Sequence, residues 1–277
     1  MPRLSRLNFV GALFFSATAM MAATSAQGAL VASWGFNNTL AADQSGAPAL
    51  TAINPLGQNG FVTDTVNGVT QQVYRFAGGQ GASEQGGLAV STNGLITGNA
   101  YSVDIVFQFD SNQYGWESIL GVSNRVSDAA LYVFNGSQLS AYPVAYGSTP
   151  FTYGDYHQVT LTNQGNGSVS GYLDGILQFV TTTNIFDFSA YDYYNPEHLI
   201  HFFLDNGSEY ATGSVARIGL FNTALTAAEI SNLSYGASGS NGGGSSAVPE
   251  PSILGLLGLG LIGLGATRRR LKGKKAA

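Results

Sequence analysis

Cysteine is absent from all 277 residues, and lysine is confined to the last six. The first absence excludes disulfide bonds and thiol chemistry. The second leaves the body of the chain with few cations: between Ala29 and Tyr235, only Arg75, Arg125 and Arg217 stand against fifteen carboxylates, a net charge near −12. A surface of that sign repels phosphate backbones and attracts divalent cations, which argues against nucleic acid as a partner. Long stretches of apolar residues at helical spacing are also missing, and with them a helical-bundle fold. No Gly-x-Ser-x-Gly elbow, phosphate-binding glycine loop or Cys/His cluster is present, so catalysis finds no motif to rest on.

The two ends are chemically distinct from the middle. Arg3 and Arg6 precede an apolar run from Leu7 to Ala23, and small residues continue to Gly28, which is the order of a secretory signal. Cleavage after Ala26 fits best, with cleavage after Gly28 as the alternative, so residues 1–28 are set apart from the fold. At the other end, Val248-Pro249-Glu250-Pro251 is followed by an apolar run from Ser252 to Thr267 and then by Arg268-Arg269-Arg270 and three lysines. As a helix, about 16 residues span only ~24 Å against a hydrocarbon core of ~30 Å. Crossing therefore requires local thinning or snorkelling of the basic end, which the positive-inside rule keeps in the cytoplasm. A permanent single-span anchor would use the same residues. The tripartite order over 248–277 resembles the PEP-CTERM sorting family. That resemblance implies an exosortase-type sorting protease as partner and an inner-membrane-anchored precursor. The protein would then reach the cell surface, outer membrane or extracellular matrix of a Gram-negative envelope. Residues 236–247, almost wholly Gly, Ser and Asn, have no side chain able to pack and read as a flexible tether.

In the middle, residues 29–235, the period is two. Tyr101, Val103, Ile105, Phe107 and Phe109 alternate with mostly polar neighbours, as in a strand with one face buried. Ten more candidate strands start at Leu30, Gln72, Ser118, Ala130, Gln138, His157, Ser168, Ile176, Leu199 and Ser214. Asn135-Gly136 and Asp174-Gly175 supply turns of positive φ that make antiparallel hairpins. Thr226-Ala227-Ala228-Glu229 has the form of a capping box, opening a short helix that docks Ile230 and Leu233. Many short strands at this spacing predict an all-β, antiparallel sandwich.

Three stretches together resemble the LamG, concanavalin A-like family. They are Ala32 to Thr39 with Asp43 to Gly46; Tyr156 to Thr162 running into Gly171-Tyr172-Leu173-Asp174-Gly175; and Ala216 to Ile230. The resemblance implies a jelly roll with one short C-terminal helix, flanked here by the signal peptide and a C-terminal hydrophobic helix. Where that family's closing strand commonly begins with an acidic residue, this chain has Gly213-Ser214-Val215, so a role for that acid does not carry over.

The same fold hosts glycoside hydrolases. A retaining glucanase needs two carboxylates about 5 to 5.5 Å apart, set on alternate strand positions. No Glu-x-Asp-x-x-Glu run exists; Glu84, Glu117, Glu197 and Glu209 are isolated surface acids by their spacing, and Glu229 serves the cap. His198 and His201, three apart, fall on opposite faces of a strand and do not form a metal pair. Binding remains. Tyrosine is dense between 142 and 194, and Tyr191, Tyr193, Tyr194 and Asn195, with Trp116, form the expected carbohydrate site, because aromatic faces stack on sugar C–H faces. Asn37, Asn38, Asp43 and Asp205 are the candidate oxygen ligands for calcium. The expected function is a surface-sorted, non-catalytic protein that binds extracellular polysaccharide or matrix. A glycan hydrolase on the same fold and a purely structural biofilm component are the alternatives.

Overall fold

The computed structural model describes residues 28–233, apart from Tyr114 and Gly136. The signal segment up to residue 27, the tether 236–247 and the sorting tail 248–277 lie outside the described residues. In chain order the strands are β1 (Leu30–Trp34), β2 (Thr51–Ile53), β3 (Gly60–Val66), β4 (Val69–Phe76), β5 (Gly87–Ser91), β6 (Ala100–Phe109), β7 (Trp116–Gly121) and β8 (Ala130–Phe134). They continue as β9 (Gln138–Tyr142), β10 (Ala145–Pro150), β11 (His157–Gln164), β12 (Ser168–Leu173), β13 (Ile176–Thr182), β14 (Leu199–Phe202) and β15 (Gly213–Phe221), and end in the helix α1 (Ala227–Ser231).

All the pairings are antiparallel, in two sheets. Sheet A runs β13-β12-β11-β6-β15-β4-β3, with β1 pairing to β15 beside that path; sheet B runs β10-β9-β8-β7-β14-β5-β2. The inner faces bury alternate residues against each other, among them Val103, Ile105 and Phe107 of β6 and Leu131 and Val133 of β8. Phe76 stacks on Phe203 at 3.9 Å between centroids, joining β4 to the segment after β14. The result is the all-β, antiparallel sandwich expected from the period of two.

The central strand β6 departs from its expected pattern. Its outer face is buried too: Ser102, Asp104, Val106 and Gln108 are all inaccessible or nearly so. Two features make that tolerable. Asp104 is satisfied by Gln158 Nε2 (2.6 Å), Thr160 Oγ1 (2.8 Å) and the Arg217 guanidinium (2.6 Å), so the charge is paired and its lone pairs are used. Val106 joins Val66, Val73, Tyr156 and Ala216 in a small apolar cluster, where side chains of the β3–β4 hairpin and Tyr156 meet on the outer face of the sheet. Polar residues on alternate positions do not prove a wet face when the chain crosses over it.

The helix α1 forms as the cap predicts. Glu229 N donates to Thr226 Oγ1, and the Glu229 carboxylate accepts the Thr226 N–H at 2.7 Å. Ile230 packs with Tyr172, Phe221 and Leu225 on the outer face of sheet A. Glu229 Oε1 also accepts the Gly28 N–H at 3.1 Å, which holds the first described residue beside the last element. Burial raises the Glu229 pKa, but the bonds from Thr226 and Gly28 outweigh it and hold the carboxyl below its ordinary value.

Antiparallel register defines two poles. Phe221 pairs with Ser102 and Gly213 with Phe109, so α1 and Gly28 lie at the β6 start, and the chain turns toward Trp116 at the β6 end. Ten residues of β6 separate the poles by about 30 Å. Among the described residues, no helix is long and apolar enough to cross a membrane.

Candidate functional site

Trp116 opens β7 opposite Phe134 of β8. Because Leu131, Val133, Leu139 and Ala141 face the core, Tyr132, Phe134, Ser140 and Tyr142 face out of sheet B. The rings gather there. Trp116 meets Tyr132 edge-on at 5.5 Å, Phe134 at 4.1 Å and Tyr142 edge-on at 4.9 Å, and Phe134 meets Tyr146 of β10 at 5.2 Å. Small, buried Ser140 shares this face and leaves room for the larger rings. Tyr132 is buried beneath the group, Trp116, Phe134 and Tyr142 are half-buried, and Tyr146 is 46% exposed. Aromatic area left half-open on a rigid strand face is suited to stacking against the apolar face of a ring.

Below and beside the rings lies a polar cluster. The Tyr132 hydroxyl donates to the Asp205 carboxylate and to Asp128 O, and Arg125 donates from Nε to Asp205 O and from its other end to Ala82 O. Burial pushes the Asp205 pKa up to about 6, although the bonds from Tyr132 and Asn206 pull the other way. His201, on the outer face of β14, is pushed down to about 4 by burial and by the Arg125 charge. Its Nδ1, with Asn206 Oδ1 and Glu209 Oε2, has no hydrogen-bond partner among the described residues.

The structure divides the expected carbohydrate residues. Tyr193 and Tyr194 are exposed, at 88% and 53%, and meet edge-on at 4.9 Å. Tyr191 packs against the core and its hydroxyl is bonded to Ser127. Asn195 is a correction: it is fully buried, donating to Val122 O and Leu199 O and accepting from Leu199 N, so it fixes the loop and offers nothing to a ligand. This loop packs on the β7–β8 loop through Asn124 and on the β6 start through Phe188 and Tyr101. It therefore lies at the pole of α1, a strand's length from Trp116. What the sequence did not single out is the partnership of Trp116 with Phe134, Tyr142 and Tyr146; alternation within β8 and β9 carries the signal, since Phe134, Ser140 and Tyr142 share a parity once Leu131 and Leu139 are assigned inward.

The expected calcium ligands also fall apart. Asn37 and Asp43 come together around Gly35, their polar atoms 3.5 and 3.8 Å from where a Gly35 Cβ would stand, and Asp43 Oδ2 accepts the Ser33 hydroxyl at 2.7 Å. Asn38 takes a left-handed turn beside them. Asp205, by contrast, belongs to the cluster on sheet B. Among the described residues, no three His, Asp or Glu side chains converge closely enough to hold a metal ion. Of the supposed surface acids, Glu117 is buried, accepting from Gln113 N (2.8 Å) and the Tyr153 hydroxyl (2.9 Å). His157 is structural as well, held between Thr152 Oγ1 (2.8 Å) and Asp174 (2.7 Å).

Two comparisons bear on this arrangement. Residues 247–270 match the PEP-CTERM protein-sorting motif, which marks an exported protein that is membrane-anchored and then sorted to the surface. The sandwich aligns with domain 4 of AbnA, a GH43 extracellular arabinanase from Geobacillus stearothermophilus solved with arabinotriose. That alignment has a TM-score of 0.53 and 16% identity, and covers 74% of this chain and 98% of that one. It establishes the jelly-roll fold. The botulinum neurotoxin binding domains of serotypes D and G align at TM-scores of 0.45 and 0.48 with 17% and 12% identity, and the chain spans about half of each. No curated protein matches the sequence.

Proposed function

We propose that this surface-sorted protein is a non-catalytic binder of extracellular polysaccharide, and that the aromatic face of sheet B is its binding surface. The observation that carries this is the group of Trp116, Phe134, Tyr142 and Tyr146. They are half-open on adjacent strands, with Trp116 and Phe134 at the pole away from α1, where the described chain runs on toward the sorting motif. Rings on strands are held more rigidly than rings on a loop, which lowers the entropy lost on binding. The arabinanase domain was solved with an arabinose oligomer, which supports a glycan as the ligand class.

The test is affinity for the host's own exopolysaccharide. Trp116→Ala and Tyr146→Ala are each expected to weaken binding about tenfold, the loss for one stacking ring. Tyr193→Ala, at the other pole, is expected to leave it unchanged. Tyr146 is exposed enough that its removal does not threaten folding. Undiminished binding in both Trp116→Ala and Tyr146→Ala, or a loss confined to Tyr193→Ala, would move the site to the tyrosine loop.

A further inference from the structure

A cleft of about 630 Å³ opens on the outer face of sheet A, lined by Asp64, Asn67, Gln108, Asp110, Asp155 and Tyr156 among others. It is made where the β3–β4 hairpin meets the loop before β11. Val66 and Val73 of the hairpin pack with Val106 and Tyr156, and the Tyr156 hydroxyl donates to Asp64 Oδ2 at 2.8 Å. The volume is that of a small-ligand site and far exceeds a single ion.

Its chemistry is one-sided. Arg75, which shares a row across the sheet with Ser214 and Gln108, is committed to Asp110 through two parallel bonds, one of 2.7 Å. The Tyr156 hydroxyl is spent on Asp64, and the Thr152 hydroxyl on Asp155 at 3.1 Å. Neither Asp64 nor Asp155 is in an ion pair, although Asp64 lies within the field of Arg75 and its Oδ1 accepts the Thr65 N–H at 2.7 Å, and no lysine exists between Ala29 and Tyr235 to supply one. Gln108, only 9% exposed in the wall of the cleft, donates weakly to Asp110 at 3.3 Å, and its Oε1 has no partner. A buried acceptor left without a donor is costly, and it marks a place that a donor from elsewhere completes. The carboxylates do not converge as metal ligands do.

We propose that this cleft is a second ligand site, one that takes an amino sugar with a free, protonated amine. The ammonium answers the two unpaired carboxylates, and the ring hydroxyls give the donors that Gln108 Oε1 and the remaining carboxylate lone pairs lack. N-acetylation removes the charge and two of the amine's donors, leaving a ligand the cleft does not favour. The proposal is independent of the aromatic face of sheet B.

The experiment is titration calorimetry of the full-length protein in mild detergent with a glucosamine tetramer, its fully N-acetylated counterpart and spermidine. The free-amine tetramer is expected to bind at least about tenfold more tightly than either of the others, since the acetylated tetramer lacks the charge-assisted bonds of the ammonium and spermidine lacks the ring hydroxyls. Asp64→Asn and Asp155→Asn, the latter at an exposed position, are each expected to weaken it by a similar factor, whereas Trp116→Ala leaves it unchanged. Equal affinity for the acetylated tetramer, equal affinity for spermidine, no binding of any probe, or full binding in both aspartate variants would each overturn the assignment. Loss in Trp116→Ala alone would attribute the binding to sheet B and overturn it as well.

Discussion

Asp205 and His201 are buried in one cluster and oppose each other as the pH changes. With Asp205 raised from an ordinary 3.8 to about 6, the folded chain keeps a proton there that the unfolded chain has released. Raising the pH through that window therefore weakens folding, by up to about 3 kcal/mol. His201 falls from 6.5 to about 4, so across nearly the same window the unfolded chain takes up a proton that the folded chain refuses, and stability drops on acidification. The two slopes offset. Arg125, Glu209 and Asp128 share the cluster, the two acids adding to the rise at Asp205 and Arg125 to the fall at His201. Asp205→Asn leaves the His201 slope uncompensated: relative to the parent, the variant is expected to gain stability from about pH 4 to about pH 6, and to become acid-sensitive in its own right. Denaturant titrations at several pH values check this, and parallel pH profiles for the two proteins would show that burial does not raise the Asp205 pKa. None of this was legible beforehand. Asp205 looks like any loop aspartate, and only the fold over sheet B reveals that Tyr132 lies against it. Asn195 illustrates the same limit, because an Asn beside exposed tyrosines has the composition of a sugar site whether it faces water or the backbone.

Local signals fared better at the scale of elements. Each strand marked by alternation is present, and the Asp174-Gly175 turn takes the positive φ expected of it, at 52° and 76°. Three of the four strands that gave no signal have physical reasons, the fourth being the three-residue β2. β5 is buried almost throughout and does not alternate, β3 is rich in Thr and exposed on the sheet edge, and β10 is an edge strand with Gly147 and Pro150. The capping box was readable because it depends on four consecutive residues and nothing else. Its worth is correspondingly local: Thr226→Ala frees the Glu229 N–H and is expected to cost about 1 kcal/mol. A urea midpoint that did not move would mean that the packing of Ile230 alone holds α1, with the cap incidental.

For the molecule as a whole, the useful fact is where the chain enters and leaves. Gly28 is tied to Glu229, and the described residues end at Leu233, so both flanking segments join the sandwich at one pole. Trp116 and Phe134 are at the other, about a strand's length away. Flanking segments joined at one pole and a proposed binding face reaching the other can act without interfering. The sorting motif, residues 247–270, lies outside the sandwich in sequence, and the rings proposed to bind polysaccharide are supported entirely within sheet B. Glu250→Ala is therefore expected to leave the protein unprocessed in the inner membrane, seen by fractionation, while its affinity for polysaccharide stays that of the parent. Trp116→Ala should do the reverse, reaching the surface normally but binding about tenfold more weakly. If the unsorted Glu250→Ala protein also lost affinity, the two poles would have to communicate, and the aromatic face could not be the self-sufficient surface that its packing describes.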